Sequence, residues 1–133
     1  MSKQTKLLAI NPAMQVKQLQ VGFEKTSVIV IDDFAMDLTE IKIHSSTAAT
    51  FNQDKSSYYP GIRAALPREY VISLLQAIYQ PLYAIYNIPK EKQLKPLDTF
   101  YSLVTTPEQE LSLPQRLPHF DTSREYFFAA THY

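Results

Sequence analysis

Apolar residues along this chain change their spacing several times, and each change marks an element. Met14 to Gln20 alternate loosely, with Met14, Val16 and Gln18 on one side and Gln15, Lys17 and Leu19 on the other, the pattern of a weak edge strand. From Thr26 to Phe34 the pattern differs, because Val28 to Ile31 is an unbroken β-branched run bounded by Asp32 and Asp33. Such a run predicts a strand buried on both faces. Ala35, Leu38, Ile41 and His44 then recur at three-residue steps, with Asp37 and Thr39 near their start, which predicts a short amphipathic helix. The small and polar residues from Thr47 to Ser57 read as a loop leading into Tyr58 to Pro67.

Val71, Leu74, Leu75, Ile78, Leu82, Ile85 and Tyr86 follow a 3.6-residue period and predict the longest helix. Pro67 suits its first position, where a missing N–H costs nothing. Pro81 lies inside and is expected to kink or divide it, since the ring removes a hydrogen bond and meets the carbonyl four residues back. After a charged turn at Lys90 to Lys95, Leu97 to Thr105 alternate as a second strand, expected to be covered on both faces. Pro107 to Pro118 leaves room for an extended piece around Leu111 to Leu113. Glu125 to Tyr133 is aromatic-rich and reads as a strand whose apolar face and open ladder require a partner.

Composition adjusts this picture at two points. With 133 residues, the chain is the size of one domain, and residues 1–133 read as one unit without an internal repeat or linker. It holds nine prolines and two glycines, where an average chain of this size would have about nine glycines. Finished β-sandwiches and barrels use glycine in turns that need positive φ, so an incomplete sheet is expected. Thirteen basic against thirteen acidic residues, with no basic run, give nucleic acid no electrostatic footing. The absence of cysteine excludes disulfides, thiolate metal sites and thiol nucleophiles. No apolar run approaches the roughly 20 residues of a spanning helix, and the opening MSKQTKLLAI is too polar for a signal peptide. A cytoplasmic protein without a membrane partner is the expectation.

Candidate chemistry rests on Leu117-Pro118-His119-Phe120-Asp121. On a strand, residues two apart share a face, so His119 and Asp121 can hold one cation between imidazole and carboxylate. This is the spacing of two ligands of the 2-His-1-carboxylate triad of non-haem iron(II). The plainer alternative is a surface turn in which Asp121 bonds its own backbone and His119 meets a carbonyl.

Tyr59-Pro60-Gly61-Ile62-Arg63 before a helix, the strand and acidic end Val28 to Phe34, and Gln115 to Asp121 followed by Phe127 to Tyr133 form an ordered series. Together, from about Asn11 to Tyr133, they resemble an uncharacterised bacterial family related to the 2-oxoglutarate and iron(II)-dependent oxygenases of the prolyl-hydroxylase-like branch. The resemblance implies an α+β chain forming the N-terminal half of a double-stranded β-helix (jelly roll), with two or three helices packed on an incomplete sheet. It also implies His119 and Asp121 as the first two iron ligands, with Fe(II) and 2-oxoglutarate as cofactors. Members of that superfamily add a distal histidine tens of residues later and then a basic residue for the co-substrate carboxylate. Here only His132 follows, eleven residues after Asp121. It is expected to be an imidazole paired in or beside a sheet, and the 133-residue chain is expected to be incomplete and inactive alone.

Arg63 and Arg116 are candidate substrate-binding residues through their planar guanidinium forks, with surface ion pairs as the ordinary alternative. Arg116 precedes His119 by three residues. Asp32 and Asp33 read as helix-capping acids more readily than as metal ligands, and His44 as an ordinary surface or boundary histidine. No Gly-x-Ser-x-Gly elbow or phosphate-binding glycine loop is present. A second reading is a non-catalytic module that pairs the strand at Phe127 to Tyr133 with a partner or with a second copy.

Overall fold

In the computed structural model, which describes residues 7–55, 57–119 and 122–133, two small antiparallel sheets meet one long helix over a shared core. The first sheet is a hairpin of β1 (Gln15–Val21) and β2 (Thr26–Asp32), in register from Gln15 opposite Asp32 to Val21 opposite Thr26. Its turn places Gly22 at φ 74° and Lys25 at φ 53°. A tight reversal thus forms even in a chain so poor in glycine. Beyond β2, Asn11 N–H donates to the Phe34 carbonyl at 2.9 Å and Met36 N–H to that of Ala9 at 2.9 Å, tying the segment before β1 to the chain after β2.

Helix α1 (Thr39–Thr47) follows, then β3 (Asn52–Gln53), β4 (Gly61–Ala65), α2 (Arg68–Ile85), β5 (Phe100–Val104), a 3-10 turn at Glu108–Glu110 and α3 (Leu113–Arg116). Strands β3, β4 and β5 form the second sheet in that order, each pair antiparallel. The architecture is α+β, with three α-helices among the described residues. No described helix is long and apolar enough to cross a membrane.

The core is small and centres on Leu8, Phe34, Ile41 and Tyr70. Helix α2 supplies Tyr70, Leu74, Ala77 and Ile78 to it, one stripe at helical spacing, while α1 adds Ile41 and its N-cap residue Leu38, and the sheets add Ile31 and Tyr101. Helix α2 ends where Asn87 takes φ 51° and the Ile88 N–H donates to the Tyr83 carbonyl at 3.2 Å. Asparagine tolerates this left-handed position, and Ile88 buries its side chain just beyond it. Tyr79 donates to the Leu94 carbonyl at 2.9 Å and Tyr83 to that of Lys92, fastening the charged turn to the helix.

Several expectations change. Helix α2 runs unbroken through Pro81, so the proline does not divide it, and Pro67 stands at its cap rather than inside. Among the described residues strand β2 has a neighbour on one edge only, and it is half-buried rather than covered on both faces. Of Leu97 to Thr105, only Phe100–Val104 pair, and Leu103 and Val104 are exposed. Residues 58–67 contain β4, the central strand of the second sheet, whose two alanines and glycine give no strong strand signal. Leu111 and Ser112 are extended, as expected, but only as a link between the 3-10 turn and α3, which already takes in Leu113. Residues 125–133 contain no strand at all, and Tyr126 takes φ 54°.

Candidate functional site

Helix α3 sets up the approach to the His-x-Asp motif. The Gln115 side-chain oxygen accepts from the Ser112 N–H at 2.8 Å, closing the first turn, and Pro114 starts the helix without needing its own N–H. The helix ends at Arg116 because Pro118 holds Leu117 extended, at φ −86° and ψ 138°. His119 follows on an exposed, irregular stretch, so residues 117–119 do not form the strand on which two ligands would share a face. Its Nδ1 donates to the Leu117 carbonyl at 3.2 Å. A carbonyl only accepts, so Nδ1 carries a proton. Asp121 lies outside the described residues. Among those described, no three of histidine, cysteine, aspartate and glutamate gather as a metal group.

The two candidate arginines have different surroundings. Arg116 is exposed on the last turn of α3. Arg63, on β4, is half-buried, 3.4 Å from the Asp54 carboxylate, with its guanidinium 3.9 Å from the Tyr59 ring centre and 5.2 Å from that of Phe100. Its Nε is buried without a hydrogen-bond partner. That setting explains Arg63 as a planar cation stacked between rings, with Asp54 holding one end.

The acidic pair at the end of β2 does not cap α1. Asp32 accepts from Lys17 Nζ at 2.6 Å, and Asp33 sits exposed at φ 54°. The turn before α1 is closed by Asp37, whose Oδ1 accepts from the Thr39 N–H at 2.9 Å and hydroxyl at 2.7 Å. That contact holds the Asp37 carboxyl below its usual range. His44 behaves as a boundary histidine, sharing a 2.9 Å hydrogen bond with the Tyr101 hydroxyl.

Sequence reasoning passed over Tyr70. Its hydroxyl and His132 Nδ1 share a hydrogen bond of 2.6 Å, and the Phe34 ring meets the imidazole edge-on at 5.3 Å. Burial pushes the Tyr70 phenol up to about 12 and lowers His132 from its ordinary value, so both are neutral near pH 7. His132 thus pairs beside the β1–β2 sheet, as expected of it. The helical period carried the signal for Tyr70, which lies one turn before Leu74 on the same stripe.

Beside this pair opens a cleft of about 530 Å³. One wall is Ile29 to Asp33 together with Phe34 and Leu38, and Thr131, His132 and Tyr133 stand on the other. The size lies within the range of ligand sites, roughly 300–1,000 Å³.

A protein-family model, described as a family of unknown function (DUF6445), matches residues 12–133. No curated protein and no solved structure matches the chain.

Proposed function

We propose that this chain, which belongs to the family of unknown function DUF6445, is the N-terminal half of a double-stranded β-helix oxygenase-like domain and carries two ligands of a non-haem iron(II) site. The observation that carries the reading is the Nδ1–H of His119 donated to the Leu117 carbonyl. Metal-binding histidines usually fix their tautomer and ring orientation by such a bond from the other ring nitrogen. The donor set then offered is His119 Nε2 and the Asp121 carboxylate, an imidazole–carboxylate pair suited to iron(II).

When bound, iron(II) and 2-oxoglutarate would supply, with dioxygen as the oxidant, the chemistry of a hydroxylation. The role of this chain is to hold the metal from one side and to present Arg116, exposed three residues before His119, to an anionic substrate group. Arg63 contributes less directly, because Asp54 and two aromatic rings already occupy it. His132, eleven residues after Asp121, is not taken as the third ligand in this reading. The chain by itself is therefore expected to turn over no 2-oxoglutarate.

Anaerobic titration with cobalt(II), a coloured stand-in for iron(II), tests the reading. The wild-type chain and His132→Ala should develop ligand-field absorption, and His119→Ala and Asp121→Ala should not. Unchanged absorption in His119→Ala, or none in the wild type, overturns the metal site. Succinate formed from 2-oxoglutarate by the 133-residue chain overturns the claim of inactivity.

A further inference from the structure

We infer that the outer edge of β2, from Ile29 to Asp32, with Asp33 at its end, is a docking site for an extended peptide segment carrying a basic side chain. Four successive residues of this strand, Ile29 to Asp32, line the cleft, with Asp33 just beyond the strand's end. Side chains of a strand alternate between two faces, so a cavity touched by every one of them lies along the backbone edge. The hydrogen-bonding pattern agrees. The Ser27 carbonyl accepts from the Tyr86 hydroxyl at 2.7 Å and therefore points away from β1. In an antiparallel pair, alternate residues turn both N–H and C=O to the same side. Ile29 and Ile31 accordingly direct theirs outward, toward the cleft. Among the described residues no strand pairs with this edge.

An edge of this kind recognises its occupant by main-chain hydrogen bonds and selects among occupants by the groups around it. From Ile29 to Asp32 the edge spans about 10 Å, at roughly 3.4 Å per residue, enough for a short extended segment. Ile31, Phe34 and Leu38 make the floor apolar. At the end, two carboxylates, Asp32 and Asp33, face a single ammonium, Lys17, which is bound to Asp32. The surplus negative charge at Asp33 complements a lysine or arginine on the incoming segment. The opposite wall is held in place through His132, which Tyr70 and Phe34 fix to the core. This site is separate from His119, and no metal enters its test.

The probe is an acetylated, amidated hexapeptide of alternating valine and lysine, added to the uniformly 15N-labelled chain. Its addition should shift the Ile29 and Ile31 amide resonances and slow their hydrogen exchange by about tenfold or more, as expected for a new ladder bond. Replacing the lysines by glutamates, or Asp33 by Asn in the protein, should weaken binding by about threefold to tenfold. Asp33 is exposed, so Asp33→Asn leaves the fold intact. Methylating alternate backbone amides of the peptide should abolish the protection. Unchanged exchange at Ile29 and Ile31 with millimolar peptide overturns the proposal. So does equal binding by the methylated peptide, which would mean charge attraction without strand addition.

Discussion

The Tyr70 hydroxyl and the Nδ1 of His132 lie 2.6 Å apart, joining the first turn of α2 to a residue sixty-two positions later. Tyr70 is only 5% exposed, and its ring lies nearly parallel to the imidazole at 6.1 Å. One contact thus connects the core to a segment that belongs to no helix or strand. It also fixes one wall of the cleft.

Tyr70→Phe keeps the ring and removes only the hydroxyl. Stability should fall by about 1 kcal/mol, the net worth of an ordinary hydrogen bond. The amides of Thr131 and His132 should lose protection from exchange as their anchor goes. Tyr70→Ala removes the buried ring as well, and about 3–5 kcal/mol should be lost. Urea unfolding of the two variants measures both differences.

The same pair makes stability depend on pH on two sides. Burial lowers the His132 pKa from 6.5, so between its folded value and 6.5 the unfolded chain binds a proton that the folded chain does not. The contribution of neutral His132 is complete above 6.5 and is lost as pH falls through that interval. Tyr70 behaves in the opposite sense. Its phenol ionises near 10.0 when unfolded and about 12 when folded, so stability declines as pH climbs from 10.0 toward about 12. Urea midpoints against pH should flatten on the acid side in His132→Phe and on the alkaline side in Tyr70→Phe. Unaltered profiles would show that neither group titrates differently on folding.

Gly61→Ala should be among the most damaging single changes. A methyl group on Gly61 would lie 1.9 Å from the Leu103 carbonyl oxygen and 2.9 Å from the Thr105 nitrogen. All of these are backbone atoms of the chain paired with β4, so relief requires the two strands to separate. A loss of about 3 kcal/mol or more is expected. At Gly22 the strain is conformational only, since nothing lies near the added carbon and φ is 74°. Gly22→Ala should cost about 1 kcal/mol. Thermal unfolding of the two variants side by side checks the contrast.

Arg63 tests whether the charge or the plane matters. Arg63→Lys retains the cation but not the flat group between Tyr59 and Phe100. A loss of about 1 kcal/mol is expected, with Arg63→Ala losing more because its stem is half-buried too. If lysine restores full stability, the contact with Asp54 alone explains the position.

How much of this was legible in the chain follows from where each signal resides. Apolar spacing marked β1, β2, α1 and α2 because burial repeats along an element with that element's own period. The short sequence distance from Asp121 marked His132 as an imidazole paired in or beside a sheet. Strand β4 was hidden, since a strand held by two neighbours need not carry large apolar residues. The aromatic run before Tyr133 misled for the converse reason. Strand propensity describes side chains that suit a sheet, whereas a strand exists only where another backbone lies alongside to pair with it. His119 and Asp121 could be paired by spacing, yet the Nδ1 bond of His119 depends on how Pro118 turns the backbone. The composition and periods of the amino acids determined an α+β chain with one long amphipathic helix. Tertiary structure alone decided that Tyr70 meets His132 and that a cleft lies between β2 and residues 131–133, because both depend on contacts between segments far apart in sequence.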